Sequence, residues 1–532
     1  MSRNPLTGTL VRDEPCLIMA VAFNEQEFAF SSGPPFTDPA IVGRWGAYLS
    51  SRYATPSALN AAWGTSYASI ADVPPFTHAD MSALSTVRGR DTIGFIDGCM
   101  AEMQDWYLST FRGLTKRTYM GVFNMAQGLR TVSLRRGDYV AINAYHAHPL
   151  GATIDISSDI SRRAGLARTF AASHLADKPL VITEYGHVFW NPHRYEQGFI
   201  MGGYGALNGF DGMTAFARSV TARKDRRRAT SFDFRTDPVM AGANFVTALL
   251  YGRGDVRESQ LQINFTVDRK ALMGSEFSED AMSSEQSALA LVGEVRVHVD
   301  SAPLEDGRSL TMPVAGGNSV FFHSEGYQLS AARKTSLSGV MAESVVAELR
   351  RKGLLSAANR TDPARGVYES ATGELYLDAP RRFMAVDTPR FQGVASVSSN
   401  AAVRLKDVEV VKQTTDGCLF AASVDGDRPV ARARRLVIGY LTNALNDGME
   451  FDGVEPKRVI DKGKMPVLLE TGAFELNIKS EHAANLRCHA LDFSGERFAE
   501  LPVVVKNGRV TVSCDTAKLP EGAAFFFELS LK

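Results

Sequence analysis

The chain lacks the compositional extremes that mark a fibrous, membrane-spanning or disulfide-stapled protein. Its five cysteines (Cys16, Cys99, Cys418, Cys488 and Cys514) are widely spaced and form no C-x-x-C pair. That excludes a zinc ribbon or disulfide framework as the organising device and leaves buried free thiols as the expectation, which suits a reducing compartment. No apolar run approaches the ~18 residues of a membrane span. The opening MSRNPLTGTLVRDEP has no apolar core segment, so it does not read as a signal peptide. The chain therefore reads as cytoplasmic as it stands, or secreted if an N-terminal segment is missing. Neither charge sign dominates: 58 Lys and Arg stand against 59 Asp and Glu, a net charge of -1. The basic cluster Arg223 to Arg228 reads as a solvated turn. No stripe of basic and aromatic residues supports nucleic-acid binding.

What is present is an ordinary globular composition, 45% hydrophobic and 22% charged, over 532 residues, enough for two or three domains with their own cores. The organising stretch is Val181-Ile182-Thr183-Glu184-Tyr185-Gly186, preceded by the turn Asp177-Lys178-Pro179-Leu180. An apolar, β-branched run after a proline predicts a buried parallel strand that delivers Glu184 at its C-terminal end. Cys16 to Asn24 has the same character and delivers Glu25. Two buried strands each ending in Glu is a layout suited to glycoside hydrolysis, which uses a pair of carboxyl groups.

The pattern predicts alternating strands and helices as far as about residue 255. Strands are expected at 16–24, 119–123, 139–145, 180–184 and 209–216. Helices are expected near 41–53, 59–64, 91–114, 157–175, 195–204 and 237–251. In the long helix, Ile96, Met100, Met103, Tyr107, Phe111 and Leu114 recur at steps of three and four, one face packed on a sheet. This rhythm implies parallel strands with right-handed crossovers. From 256 to 365 a mixed α/β accessory region is expected, with strands at 261–267, 290–299 and 319–323 and a helix at 340–351. From 366 to 532 short strands separated by turns such as Asp416-Gly417 and Asn507-Gly508 predict an antiparallel β-sandwich.

Asn24-Glu25 after one strand and Thr183-Glu184-Tyr185-Gly186 after a later one resemble glycoside hydrolase clan A, the retaining (β/α)8-barrel hydrolases. Leu59-Asn60-Ala61-Ala62-Trp63-Gly64-Thr65 is similar to the family 42 β-galactosidases and their relatives. The likeness covers about residues 4 to 255. It implies an acid/base Glu after an Asn on barrel strand 4 and a nucleophile on strand 7, hence Glu25 and Glu184. The strands counted here would be numbers 4 to 8 of eight, giving an incomplete TIM-type barrel over residues 1–255. A closed barrel typically takes about 250 residues. The chain is accordingly read as a truncated product, half of a split enzyme, or a barrel completed by a partner chain or by self-association.

The expected reaction is retaining hydrolysis of β-linked galactosides or related oligo- or polysaccharides, without a cofactor. The alternative is a carbohydrate-binding or scaffold protein whose incomplete barrel is inactive. The acid needs a raised pKa, which partial burial and a neighbouring carboxylate supply. Glu27 rivals Glu25 but lacks the preceding Asn. Substrate contacts are expected from Asn24, through a sugar hydroxyl, and from Asn124, Tyr145, His146, His148 and Trp190. Tyr145 is expected beside the nucleophile, as the resemblance implies. His146 and His148, with His187 and His193, could be imagined as metal ligands. Pro149 follows at once and no carboxylate lies at ligand spacing, so no metal is expected. Trp63 reads as packing, Phe189 as a residue that either stacks on a sugar ring or packs in a lid or core, and Asp211 as a strand-end polar residue that either lines the cleft or does not.

Overall fold

The computed structural model describes residues 2–25, 36–77, 79–80, 86–115, 118–124, 136–217, 228–232, 235–268, 282, 284–303, 307–313 and 342–531. The expected strand at 319–323, Glu27 and most of the basic cluster lie outside them. Five strands form the first layer: β1 (Met19–Val21), β2 (Tyr119–Gly121), β3 (Val140–His146), β4 (Leu180–His187) and β5 (Gly212–Ala215). β1 pairs with β2, and β3 with β4 with β5, all parallel. Two backbone bonds join the pieces, Asp138 N–H to Met120 O and Asn143 N–H to Asn124 O, and their register advances in one direction. The strands therefore stand in sequence order, side by side and parallel.

Tyr139 clips this array together. Its ring lies over Gly121, where a Cβ would stand 2.8 Å from the ring, and its hydroxyl donates to Ala20 O at 2.8 Å. β3 is buried at every position because it is flanked on both sides. β1 is not: Ile18 is 60% and Met19 39% exposed, against the expectation of a buried strand over 16–24. Among the described residues it pairs with β2 alone.

Before β2 lie α1 (Pro39–Arg52), α2 (Pro56–Trp63) and α3 (Val87–Leu114). α2 ends at Gly64 in the left-handed conformation (φ 67°), the C-cap that its sequence predicts. Trp63 packs on Trp45 and donates to the buried Asp91 at 2.8 Å, a packing role. Between β3 and β4 the helix expected at 157–175 shrinks to α4 (Gly165–Ala171). Asp159 accepts the Leu166 N–H and Ser158 Oγ donates to Glu196, while Arg163 and Ala164 have φ of 60° and 49°. Side-chain bonding by Ser and Asp has replaced a helical start. α5 (Gln197–Leu207) and α6 (Pro238–Thr247) complete the layer around β4 and β5.

Next comes a second parallel sheet of β6 (Gln262–Val267), β7 (Glu294–Val299) and β8 (Ser309–Pro313), with β6 central. The strand expected from 290 starts at Glu294, because Leu289–Leu291 is helical. Beyond α7 (Ser284–Ala288) and α8 (Ala342–Arg351) the chain is antiparallel. A nine-stranded sheet and a five-stranded sheet face each other across a core that includes Leu419, Ile438 and Phe527 from one and Val408, Leu476 and Val512 from the other. A larger core runs without a break from β3 and β4 through β6 and β7 to Phe391 and Phe420 of the nine-stranded sheet. Among the described residues no helix is long and apolar enough to cross a membrane.

Candidate functional site

Glu184 owes its position to a flaw in the ladder. Ile142 pairs with Ile182, but Asn143 pairs with Glu184, so Thr183 is one residue extra in β4. A bulge re-aims the side chains that follow it. Here it breaks the in-and-out alternation, leaving both Thr183 and Glu184 half-buried on the way to the strand's C-terminal end. Glu25 is presented differently. It follows β1 with φ 51°, in the left-handed region, and its N–H donates to Asn124 Oδ1 at 2.8 Å. A β-carbon strains that conformation, and the bond from the end of β2 holds it there.

The two carboxylates meet over β3. The Asn143 Nδ2 donates to Glu25 Oε1 at 2.8 Å, and the same side chain favours the charged form of Glu184. The Tyr145 hydroxyl donates to Glu184 Oε2. Asn143 and Tyr145 are two apart on a strand and share a face. Burial pushes Glu184 up; its bonds from Tyr145 and Asn143 oppose this and the charge of Glu25 adds to it, with a net rise. Burial, the bond to Glu184 and the charges of both glutamates push the Tyr145 hydroxyl up, so it remains a proton donor. Glu184, the residue assigned from sequence as the nucleophile, is thus raised.

The other expected contacts divide. Asn24 is exposed beside Glu25, and its Oδ1 accepts from Asn124 Nδ2 at 2.8 Å. Asn124 is 2% exposed, with its amide shared among Glu25, Asn24 and Thr183. That places it beneath the carboxylates as a support. His148 is half-buried against the rings of Tyr145 and Phe232. His146 is fully buried, bonded to Ser157 O at 2.8 Å, with burial taking its pKa down to about 4. Its ring centroid lies 4.7 Å from that of His187, the two rings tilted by 48°, and His187 bonds Asp159 at 3.2 Å. Among the described residues no three His, Cys, Asp or Glu are placed to hold a metal. Trp190 is 3% exposed in an apolar cluster with Ile154, Phe189, Ala229 and Val459. Asp211 lies at the opposite end of β4, accepting Leu180 N–H at 2.8 Å. An open hollow of about 1090 Å³, lined by Phe210, Asp211, Tyr251 and Arg257 among others, lies at that far end too, away from the carboxylates.

Sequence reasoning missed Asn143 and Thr183. A signal for Asn143 was there: an amide inside the apolar strand Val-Ala-Ile-Asn-Ala-Tyr has to find a polar partner.

No family model matches the chain, and no curated protein matches it. Among solved structures it is similar to a β-galactosidase from the Antarctic haloarchaeon Halorubrum lacusprofundi, with 14% identity over 95% of this chain and 80% of that one, and a TM-score of 0.40. It is also similar to a β-galactosidase from the psychrophilic Marinomonas ef1, with 12% identity over 98% and 81% and a TM-score of 0.36. A family 42 exo-carrageenase from Bacteroides ovatus is similar at 10% identity and a TM-score of 0.33; this chain covers 64% of its length.

Proposed function

We propose that the chain is a retaining glycoside hydrolase acting on β-linked galactosides or related oligo- or polysaccharides. Glu25 is its acid/base and Glu184 its nucleophile. The observation that carries this reading is that both carboxyl groups are bonded from one face of β3, Glu25 by Asn143 Nδ2 at 2.8 Å and Glu184 by the Tyr145 hydroxyl. Asn143 Nδ2 stands 2.8 Å from Glu25 Oε1, and a second acceptor on the same planar NH2 group would stand about 5 Å from the first. A retaining pair needs about 5 to 5.5 Å, whereas an inverting pair leaves room for water at about 6.5 to 9.5 Å. In the first step Glu184 attacks the anomeric carbon while Glu25 gives its proton to the leaving oxygen. In the second, Glu25 takes a proton from water, which displaces Glu184. Tyr145 orients the attacking carboxylate, and Asn24, exposed beside Glu25, reaches a sugar hydroxyl.

On this reading β1 to β5 are strands four to eight of a (β/α)8-type barrel within residues 1–255. Residues 256–365 form the accessory region and 366–532 the sandwich. A partner chain or a second copy would complete the barrel along β1. The exposure of Ile18 and Met19, at the start of β1, also favours the second reading, a sugar-binding scaffold that does not turn over.

Incubation with an aryl 2-deoxy-2-fluoro-β-galactoside tests the assignment. The expected product is a 2-deoxy-2-fluorogalactosyl ester on the peptide containing Glu184, seen by mass spectrometry, with Glu184→Gln losing about 10⁴-fold or more in turnover of the unfluorinated aryl galactoside. Sugar binding with neither label nor turnover would decide for the scaffold.

A further inference from the structure

Two carboxylates held this close repel each other, and nothing in their own side chains prevents them from swinging apart. We propose that Asn143 is a positioning residue that holds Glu25 and Glu184 at a fixed spacing by donating one N–H to each, with Thr183 fixing which way its amide faces. The inference rests on the two carboxylates being the working pair assigned above.

The sense of the hydrogen bonds carries it. Thr183 has one hydroxyl proton, and it reaches Asn143 Oδ1 at 2.6 Å, against 3.3 Å to Ile142 O. Thr183 Oγ in turn accepts from Asn124 Nδ2 at 3.3 Å. The amide oxygen of Asn143 is therefore committed to Thr183, which leaves its nitrogen for Glu25 and Glu184. Turned over, the amide would set its oxygen against two carboxylates and its NH2 against a donating hydroxyl. Thr183 can do this because it is the extra residue of the β4 bulge, directly before Glu184. Asn143 is 1% exposed, so water does not readily replace its N–H groups. The two glutamates come from segments that do not pair with each other, and the amide bridges them. The Asn143 amide favours the ionised form of Glu184, against its burial and the charge of Glu25.

The test follows Glu184 by carboxyl 13C NMR in protein labelled at glutamate Cδ, assigned with Glu184→Gln, alongside the pH profile of kcat/KM for an aryl β-galactoside. Asn143→Ala is expected to move the Glu184 midpoint up by about one pH unit, the worth of one charge-assisted hydrogen bond. It should also lower kcat at least ten-fold with KM within about three-fold, the mark of an interaction made in the transition state. Thr183→Val should shift the midpoint in the same direction by less, and it carries the test if Asn143→Ala does not fold. A midpoint that overlays the wild type, or moves down, overturns the clamp. A wild type without turnover whose midpoint still moves in the variants keeps the clamp and removes the catalytic reading; turnover with an unmoved midpoint does the reverse.

Discussion

Glu196 is fully buried behind the candidate site, its oxygens accepting from Ser158 Oγ at 2.7 Å and Ile160 N–H at 3.0 Å. Those two bonds favour its charged form, but burial outweighs them and the nearby Asp159 adds to it, taking its pKa up to about 8. An unfolded glutamate titrates at about 4.3, so between that pH and 8 the native state holds a proton that the unfolded state has released. The stability this group contributes is complete below the unfolded pKa and is lost as pH rises through 8. Glu196→Gln removes the titration while keeping an acceptor for Ser158. Urea unfolding from pH 5 to 9 should show a flatter profile for the variant and a gain at the alkaline end. Parallel profiles would mean that Glu196 is not the group responsible.

At the scale of elements, α5 and α6 cross at contact distance because α5 carries glycine where they meet. A Cβ on Gly198 would stand 2.6 Å from Ala243 O and 2.7 Å from Val246 Cβ. The backbone oxygen cannot yield, so the overpacking cost of about 1–3 kcal/mol outweighs the ~1 kcal/mol that alanine gains in a helix. Gly198→Ala should therefore lower stability, whereas Gly98→Ala in α3, with nothing within 4 Å, should raise it by about 0.5–1 kcal/mol. Thermal unfolding of the two variants checks both signs. Much of this layer was legible from periodicity and punctuation. Pro179 and the apolar run behind it mark β4, and the three-four spacing from Ile96 to Leu114 marks α3. The bulge at Thr183 was not legible, because one extra residue leaves no trace in composition. Nor was the shortened α4, since Ser158 and Asp159 bond to groups distant in sequence. The exposure of β1 depends on which strand stands beside it, and its own apolar residues do not specify that. At the site, Glu25, Glu184 and Tyr145 could be read from strand ends. The burial of His146 and Trp190 could not, because strand-end polarity and aromatic character look alike in a cleft and in a core.

At the scale of the molecule, the antiparallel half reaches back to the site through the hairpin Ala444–Phe451 and Val459–Leu469. Ile154 N–H bonds Lys457 O and Val459 N–H bonds Ala152 O, while Asn446 exchanges both amide bonds with Ala229. The loop after β4, with Phe189 and Trp190, is packed against Val459 of this hairpin. Arg194 fastens the junction from inside. Its guanidinium forks onto Asp237 at 2.7 and 3.1 Å, bonds Asn443 Oδ1 and Ala444 O at 2.6 Å each, and lies 5.1 Å over the ring of Phe189. Both charges are essentially out of solvent, at 0% and 1% exposure. Arg194→Met would leave Asp237 buried without its cation, at a cost of about 3–5 kcal/mol. Removing both charges in Arg194→Met/Asp237→Leu should recover part of that, because the double variant no longer buries an orphaned carboxylate, although Asn443 Oδ1 and Ala444 O still lose the guanidinium. Urea unfolding of the single and double variants measures the coupling. A single variant within about 1 kcal/mol of wild type would mean that the hairpin is held by its apolar contacts and the ion pair is incidental. If the coupling is found, the loop that follows Glu184 is anchored by the antiparallel half of the chain, and loosening that anchor should raise KM for an aryl galactoside in the single variant while the double variant restores it.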